Sequence, residues 1–138
     1  MSSEEYFNNK EFEFYRSIEN DFINRGFKYL AQGYSRTGYG RNNIVIKIPH
    51  NKLGIEDNII EAKAYSKYKN GPTNLGYYLA PCRLIKHNCL IMHRVKILSR
   101  HDKRFPKWGT KIDNHQVGIS LVSNKIVCYD YALDMEEK

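Results

Sequence analysis

Cysteines are scarce in this sequence of 138 residues, and their spacing excludes the usual architectures built on cysteine. Cys82, Cys89 and Cys128 are odd in number, and none belongs to a C-x-x-C pair. Neither a disulfide framework nor a zinc site is indicated, so we expect reduced, buried thiols. The five histidines also lack the spacing of metal ligands.

Long hydrophobic runs are also missing. No apolar segment approaches the roughly 20 residues that cross a bilayer. The N-terminal stretch MSSEEYFNNKEFEF is acidic and polar, whereas a signal peptide would be basic and then apolar. We therefore expect a cytoplasmic protein without a membrane segment. Because internal repeats and low-complexity tracts are absent too, residues 1–138 fit one domain.

Acidic residues are fewer than basic ones. The sequence has 22 Lys and Arg against 15 Asp and Glu, a formal net charge of +7. Such a charge attracts polyanions, nucleotides or acidic protein partners. The 11 tyrosines of a basic chain can stack on nucleic-acid bases, although the aromatic-glycine signature of an RNA-binding sheet is missing. Nucleic-acid binding therefore remains one alternative.

The apolar periodicity predicts an α+β protein with an antiparallel sheet. The second helix is predicted from two neighbouring apolar stripes, namely Ile55, Ile59 and Ala62 and, beside them, Ile60, Ala64 and Tyr68. The predicted elements are a helix over residues 3–27, strands at 29–31 and 44–48 around a glycine turn, a helix over 54–70, two strands within 77–86 and 89–98, a loop at 99–110, and a hairpin over 116–133.

The first predicted helix has recognisable ends and one apolar stripe. Ser3 is a suitable N-cap, and Gly26 is a suitable end. The stripe is expected to dock on the core, with a partner-binding helix as the alternative; its members are Phe7, Phe14, Ile18 and Phe22.

The predicted loop at residues 99–110 is basic and lacks periodicity. This loop is either a solvated loop or an anion-binding loop. Trp108 is expected to pack against the core and not to serve as a stacking surface. Its basic side chains are Arg100, His101, Lys103, Arg104 and Lys107.

Four charged residues occur in an order that suits phosphoryl transfer. That reaction needs a cation on the nucleotide phosphates, an acid that orients this cation, a carboxylate on Mg²⁺ and a base or positioning group for the acceptor. Taken singly, each side chain also fits a solvated surface position. The four residues are Lys47, Glu61, Asp113 and Asp130.

The sequence resembles the protein-kinase-like superfamily, most closely the small kinase-like proteins encoded by bacteriophages, over about residues 29–133. GYSRTGYGRNNIVIKIP looks like a glycine-rich loop and lysine strand, and NIIEAKAYSKY looks like the helix with its glutamate. LAPCRLIKHNCLIMHRV is similar to the strands leading to the hinge, DNHQVGI to the catalytic loop and NKIVCYDYAL to the strand ending in D-F-G. The resemblance implies a truncated kinase-like fold with an N-lobe-type sheet, one αC-like helix, an N-terminal helix and a C-terminal β-hairpin.

The resemblance also implies ATP and Mg²⁺ as cofactors and a role for each matching residue. Lys47 would contact the α and β phosphates and pair with Glu61, while Asp113 would be the base. Asp130 and Gln116 would hold Mg²⁺. The glycine-rich loop would contribute Gly33, Gly38 and Gly40, and backbone groups from His93 to Val95 would read the adenine edge.

The sequence departs from the family pattern at several positions. No H-R-D precedes the catalytic loop, Gly118 stands where an asparagine is expected, and D-F-G becomes Asp130-Tyr131-Ala132. Only eight residues follow Asp130, so no activation segment, A-P-E element or peptide-binding helical lobe is expected.

These departures favour a catalytically degenerate protein that binds a host or phage macromolecule through its basic surface, in the cytoplasm of an infected cell. An active phosphotransferase dependent on Mg²⁺ and ATP is the first alternative. A basic nucleic-acid-binding protein is the second.

Overall fold

A computed structural model of the protein describes residues 4–112 and 116–132. Within these residues it is α+β with antiparallel sheets, as the sequence predicted. The helices are α1 (Asn9–Asn24) and α2 (Lys52–Tyr68), and the strands are β1 (Lys28–Gln32), β2 (Arg36–Arg41), β3 (Ile44–Pro49), β4 (Cys82–Leu84), β5 (Leu90–His93), β6 (Val95–Ile97), β7 (Val117–Ser120) and β8 (Ile126–Cys128).

The strands form two sheets, and one residue of the chain separates β5, the last strand of the first sheet along the chain, from β6, the first strand of the second. The larger sheet has the order β1-β2-β3-β5-β4, and the smaller has the order β6-β7-β8. Arg94 lies between β5 and β6. Its N–H donates to the Asn43 carbonyl beside the larger sheet, and its carbonyl accepts from the Leu121 N–H beside the smaller one, both at 2.8 Å. The strand predicted within residues 89–98 is therefore two strands in different sheets.

Helix α1 begins later than predicted. Asn8 is its N-cap: the Asn8 side chain accepts from the Glu11 N–H at 2.8 Å, and the Glu11 carboxylate accepts from the Asn8 N–H at 3.1 Å. This reciprocal capping box provides acceptors for two backbone N–H groups at the start of the helix, which would otherwise have no hydrogen-bond partner within the helix. Ser3, the predicted cap, lies outside the described residues. Gly26 follows the last turn with φ +91°, which fits its predicted role as the stop.

The apolar stripe of α1 docks on the larger sheet. Phe7, Ile18 and Phe22 are partly buried against its core, whereas Phe14 is 44% exposed and contacts the His87 ring edge-on. The buried member of the helix is Tyr15, whose hydroxyl donates to the His87 carbonyl at 2.9 Å.

The predicted glycine turn between residues 29–31 and 44–48 is wrong, because a further strand, β2, fills most of it. Gly38 and Gly40 lie within β2, which pairs with β1 on one side and β3 on the other. At Gly40 a Cβ would lie 2.7 Å from Leu30 Cδ1 and 3.2 Å from Arg94 Cζ. Gly40 therefore leaves space for the side chains of Leu30 and Arg94, and it is not part of a turn.

The buried face of α2 differs from the predicted apolar stripes. Of the six stripe residues only Ala64 is buried; the face that packs against β3 and β4 also contains Gly54, Asn58 and Glu61. Asn58 donates to the backbone carbonyls of Lys47 and Asn88, at 3.1 and 2.7 Å. A polar face can be buried here because the groups beneath it satisfy its hydrogen bonds.

The C-terminal hairpin is confirmed as β7 and β8, joined by residues 121–125 rather than by a two-residue turn. Residues 99–110 form a loop that ends in a 3₁₀ helix, Lys107–Lys111. Trp108 packs on the core, with its ring centroid 5.6 Å from that of Tyr77. No helix in residues 4–112 and 116–132 is long and apolar enough to cross a membrane.

Candidate functional site

A cleft of about 870 Å³ lies between the two sheets. Its volume is within the range of small-molecule sites. Val45 and Lys47 both line it and are two residues apart on β3, so they share one face of that strand. The cleft therefore has an apolar region beside a charged one. The apolar side chains are Leu30, Ala31, Val45, Met92, Val95 and Ile97, and the polar region includes the basic Arg36 and Lys47, the acidic Glu56, Asp57 and Asp130, and the amide of Gln116.

The predicted pair of Lys47 and Glu61 lies at the inner wall of this cleft. Lys47 Nζ donates to Glu61 Oε1 and to the Tyr129 carbonyl, each at 2.8 Å. The Lys47 side chain is 11% exposed, and the Glu61 side chain is fully buried. Strand β3 supplies the lysine and the following helix supplies the glutamate.

Arg36, at the start of β2, is a site residue that the sequence reasoning missed. Its guanidinium meets Glu61 with two parallel bonds, Nη1 to Oε1 at 2.7 Å and Nη2 to Oε2 at 3.1 Å. Nη1 also donates to Asn58 Oδ1 at 3.0 Å, and Nη2 to Asp130 Oδ1 at 2.7 Å. Arg36 thus joins the helix to the segment after β8.

Glu61 is the centre of this cluster. Besides the two cations, its Oε2 accepts from the backbone N–H groups of Tyr131 and Ala132, at 2.9 and 3.0 Å. Burial alone would raise the pKa of the Glu61 carboxyl, but Lys47 and Arg36 lower it to about 2. The buried carboxylate therefore stays ionised at neutral pH.

Asp130 sits at the open side of the cluster, with its side chain 39% exposed. Its Oδ1 accepts from Arg36, and its Oδ2 accepts from Gln116 Nε2 at 3.3 Å. Burial raises the pKa of Asp130; Lys47 and Arg36 oppose this rise, and Glu61 adds to it. Both carboxylate oxygens are already engaged by side-chain donors.

The described side chains do not fit a Mg²⁺ site. Mg²⁺ needs oxygen ligands in near-octahedral geometry, yet Gln116 offers Asp130 its amide nitrogen and Arg36 already occupies Oδ1. Among residues 4–112 and 116–132, no three His, Cys, Asp or Glu side chains are grouped as metal ligands. Asp113, the predicted base, lies outside the described residues.

The predicted nucleotide-binding glycines are only partly in place. Gly33, in the turn between β1 and β2, and Gly38, within β2, line the cleft. Gly40 is not among the lining residues, because Leu30 and Arg94 cover it.

The predicted hinge residues His93 and Val95 both line the cleft. Arg94 and Leu98 bond across to β7, through Leu121 and Val117 respectively. Because backbone groups alternate in direction along an antiparallel strand, those of Val95 point away from β7. Strand β6 is the edge of its sheet, so these groups point out from the sheet edge, and Val95 itself lines the cleft.

Two further polar residues were missed. Asn58 lies three positions before Glu61 on α2, and this spacing places both on one helical face. Ser35 precedes Arg36, and its hydroxyl donates to Asp57 Oδ2 at 2.6 Å. Once Gly38 and Gly40 are assigned to a strand, the turn between the first two strands shortens to residues 33–35. That shorter turn would have placed Ser35 and Arg36 at the edge of the site.

Comparisons with known proteins return no match: no protein-family model fits the sequence, and no curated protein or solved structure is significantly similar to it. The residues of the cleft are therefore the basis on which a function can be inferred.

Proposed function

We propose that this chain is a catalytically degenerate kinase-like protein, which binds a nucleotide in its cleft and acts by binding a host or phage macromolecule. The observation that carries the proposal is the 2.8 Å pair of Lys47 and Glu61, with Asp130 joined to it through Arg36. In protein kinases a lysine on the third strand pairs with a glutamate on the next helix, and an aspartate after a later strand faces them. The same three residue types occur here in the same order.

The two regions of the cleft suit the two parts of a nucleotide. A flat base would lie against Val45, Met92 and Ile97, with its polar edge toward the outward-facing backbone of Val95. The phosphates would extend toward Lys47, which shares a strand face with Val45. An ammonium group attracts phosphate oxygens as a point charge.

Loss of catalysis is proposed on two grounds. Kinases hold two Mg²⁺ ions with an aspartate and an asparagine, and here the aspartate oxygens are held by Arg36 and Gln116. At Gly118, where the resemblance places the asparagine, a Cβ would lie 2.7 Å from Val95 Cγ2 and 2.8 Å from the Lys96 carbonyl oxygen. Because β6 and β7 are paired this closely, there is no space at position 118 for a metal-binding side chain.

The basic loop supports a macromolecular partner. Within residues 99–111, six basic side chains are exposed, and one of them, Arg104, is paired with Asp102 at 3.0 Å. The formal charge of +7 adds long-range attraction for an acidic surface. The six residues are Arg100, His101, Lys103, Arg104, Lys107 and Lys111.

Thermal unfolding with ADP tests the nucleotide site. A ligand present at one hundred times its Kd stabilises the folded state by about 2.7 kcal/mol. Lys47→Met should abolish the ADP-induced rise in Tm, whereas Lys63→Met, on the exposed face of α2, should leave it unchanged. No rise for the unaltered protein at any ADP concentration would remove the nucleotide site from the proposal.

Turnover assays test the claim of degeneracy. We expect no release of phosphate from ATP and no autophosphorylation above a no-protein control, with Mg²⁺ or Mn²⁺ present. Turnover that disappears in Asp130→Asn would instead establish the active phosphotransferase.

Partner binding is tested by charge reversal in the loop. A variant with Arg100, Lys103 and Lys107 changed to Glu should lose co-purification of a partner from infected cells, while its ADP-induced rise in Tm stays. Equal recovery of the same partner by the unaltered protein and by the charge-reversed variant would exclude the loop as the contact.

A further inference from the structure

The guanidinium of Arg36 holds one of the two Asp130 oxygens that a divalent cation would otherwise bind. Nη2 lies 2.7 Å from Oδ1 of Asp130. The arginine is fixed there, because it is 9% exposed and its two terminal nitrogens also bond Glu61 and Asn58. A guanidinium keeps its charge at every pH at which the protein is folded. Burial would lower the pKa of Arg36, but Glu61 raises it well above its usual value.

The charges of the cluster balance without a metal. Arg36 and Lys47 carry two positive charges, and Glu61 and Asp130 carry two negative ones, all joined by contacts of 2.7–2.8 Å. A Mg²⁺ ion on Asp130 would add two positive charges beside a fixed guanidinium. Like charges this close repel each other, although less strongly at the open side of the cluster, where Asp130 is 39% exposed, than at its buried centre.

One cation of the cluster still has bonding capacity toward the cleft. A lysine ammonium has three N–H donors, and in the described part of the chain two of those of Lys47 bond Glu61 and Tyr129. Lys47 lines the cleft, so its third donor is available to a ligand oxygen. The phosphate chain would meet Lys47 directly and Arg36 as a neighbouring charge.

We propose that Arg36 replaces the divalent cation, so that the cleft binds a nucleoside diphosphate or triphosphate without metal. This inference rests on the proposed nucleotide site and specifies its ligand as the free, metal-free nucleotide.

Calorimetric titration with ADP and with ATP tests the inference, once in EDTA and once in excess MgCl₂. We expect Kd in EDTA to be equal to or lower than Kd in MgCl₂. Binding that is at least tenfold tighter with MgCl₂ would overturn the inference and leave the nucleotide site standing. Absence of binding in both buffers would overturn both.

Two variants distinguish a site in which the Arg36 guanidinium serves as the cation from a site in which the Asp130 carboxylate binds a metal. Asp130→Asn keeps the shape of the side chain and removes a negative charge near the phosphates. We expect it to bind ADP in EDTA about threefold to tenfold more tightly. If Asp130 held a metal instead, the same variant would bind ADP more weakly than the unaltered protein in MgCl₂, and that loss would overturn the inference.

Arg36→Gln is the complementary variant, because it frees Asp130 for a metal. We expect its ADP affinity to fall at least tenfold in EDTA and to recover in part in MgCl₂. Unchanged affinity in EDTA would contradict the role of Arg36. Because Arg36 is buried, circular dichroism must first show a folded variant; if it is not folded, Asp130→Asn decides the question alone.

Discussion

Arg36 Nη2 and Asp130 Oδ1 lie 2.7 Å apart although 94 positions separate the two residues in sequence. Arg36 belongs to the larger sheet, and Asp130 follows the last strand of the smaller one. Glu61 lies between them on α2, and it also binds the backbone at Tyr131 and Ala132. The ion cluster therefore ties both sheets to the helix, besides forming one wall of the cleft.

Removing the charge at the centre of this cluster should destabilise the fold strongly. Glu61→Gln would leave Lys47 and Arg36 buried without their shared carboxylate, and breaking a buried pair in this way costs about 3–5 kcal/mol. Urea unfolding measures the change in the free energy of unfolding. Glu56→Gln, at an exposed position of the same helix, is the control and should change it by less than about 0.5 kcal/mol. Equal values for the two variants would show that the cluster does not stabilise the fold.

Acid should weaken the protein through the same carboxylate. The pKa of Glu61 falls from its ordinary 4.5 to about 2 in the folded state. Its stabilising contribution is therefore complete above about pH 5 and is lost as the pH falls toward 2. That contribution is on the order of 3 kcal/mol.

The measurement is the difference in unfolding free energy between the unaltered protein and Glu61→Gln, from pH 6 down to pH 2. We expect this difference to shrink with acid. Asp130 acts in the opposite direction, because its raised pKa favours the folded state at low pH. Glu61 itself contributes to that rise, so the Asp130 effect is smaller in Glu61→Gln and cancels only in part in the difference. A constant difference across the range would mean that Glu61 has no lowered pKa.

The secondary structure could be predicted from the sequence where the apolar periodicity is regular. The second helix and the C-terminal hairpin follow apolar and alternating patterns, and both are present. Strand β2 could not be recognised in this way, because the glycines of RTGYGR indicate a turn. In the strand, the absence of a side chain at Gly40 leaves space for Leu30 and Arg94.

The candidate site was predictable only in part, for a related reason. Lys47, Glu61 and Asp130 were found because their order matches a known chemistry. Asn58 was not, because a buried polar face on a helix leaves no apolar pattern; it becomes visible only when the partners that satisfy its hydrogen bonds are known. Arg36 was not, because it begins β2, the strand whose glycines indicate a turn.

Nucleic-acid binding, which the charge of +7 leaves open, makes a separate prediction. We expect only weak, non-specific binding to a labelled oligonucleotide, because no aromatic-glycine signature of an RNA-binding sheet is present. Its Kd should be about 10⁻⁴–10⁻⁶ M near physiological salt, and the binding should fall steeply as salt rises. Fluorescence anisotropy between roughly 50 and 200 mM NaCl measures the slope. Nanomolar affinity for one sequence at the higher concentration would favour a nucleic-acid-binding protein over the proposed function.

The contact between α2 and the turn before β2 should depend on the absence of a side chain at Gly54. A Cβ there would collide with the Ser35 carbonyl oxygen and lie 2.9 Å from Pro49 Cα, and both neighbours are backbone atoms that cannot rotate away. We expect Gly54→Ala to lower the free energy of unfolding by about 1–3 kcal/mol, the usual cost of overpacking. Gly71→Ala is the matched control, because a Cβ at Gly71 would meet no atom within 4 Å. Ser35 is next to Arg36, so Gly54→Ala should also weaken ADP binding, whereas Gly71→Ala should not. Equal stability of the two variants in urea, with equal ADP affinity, would show that α2 does not need this close approach to position Glu61 against Arg36.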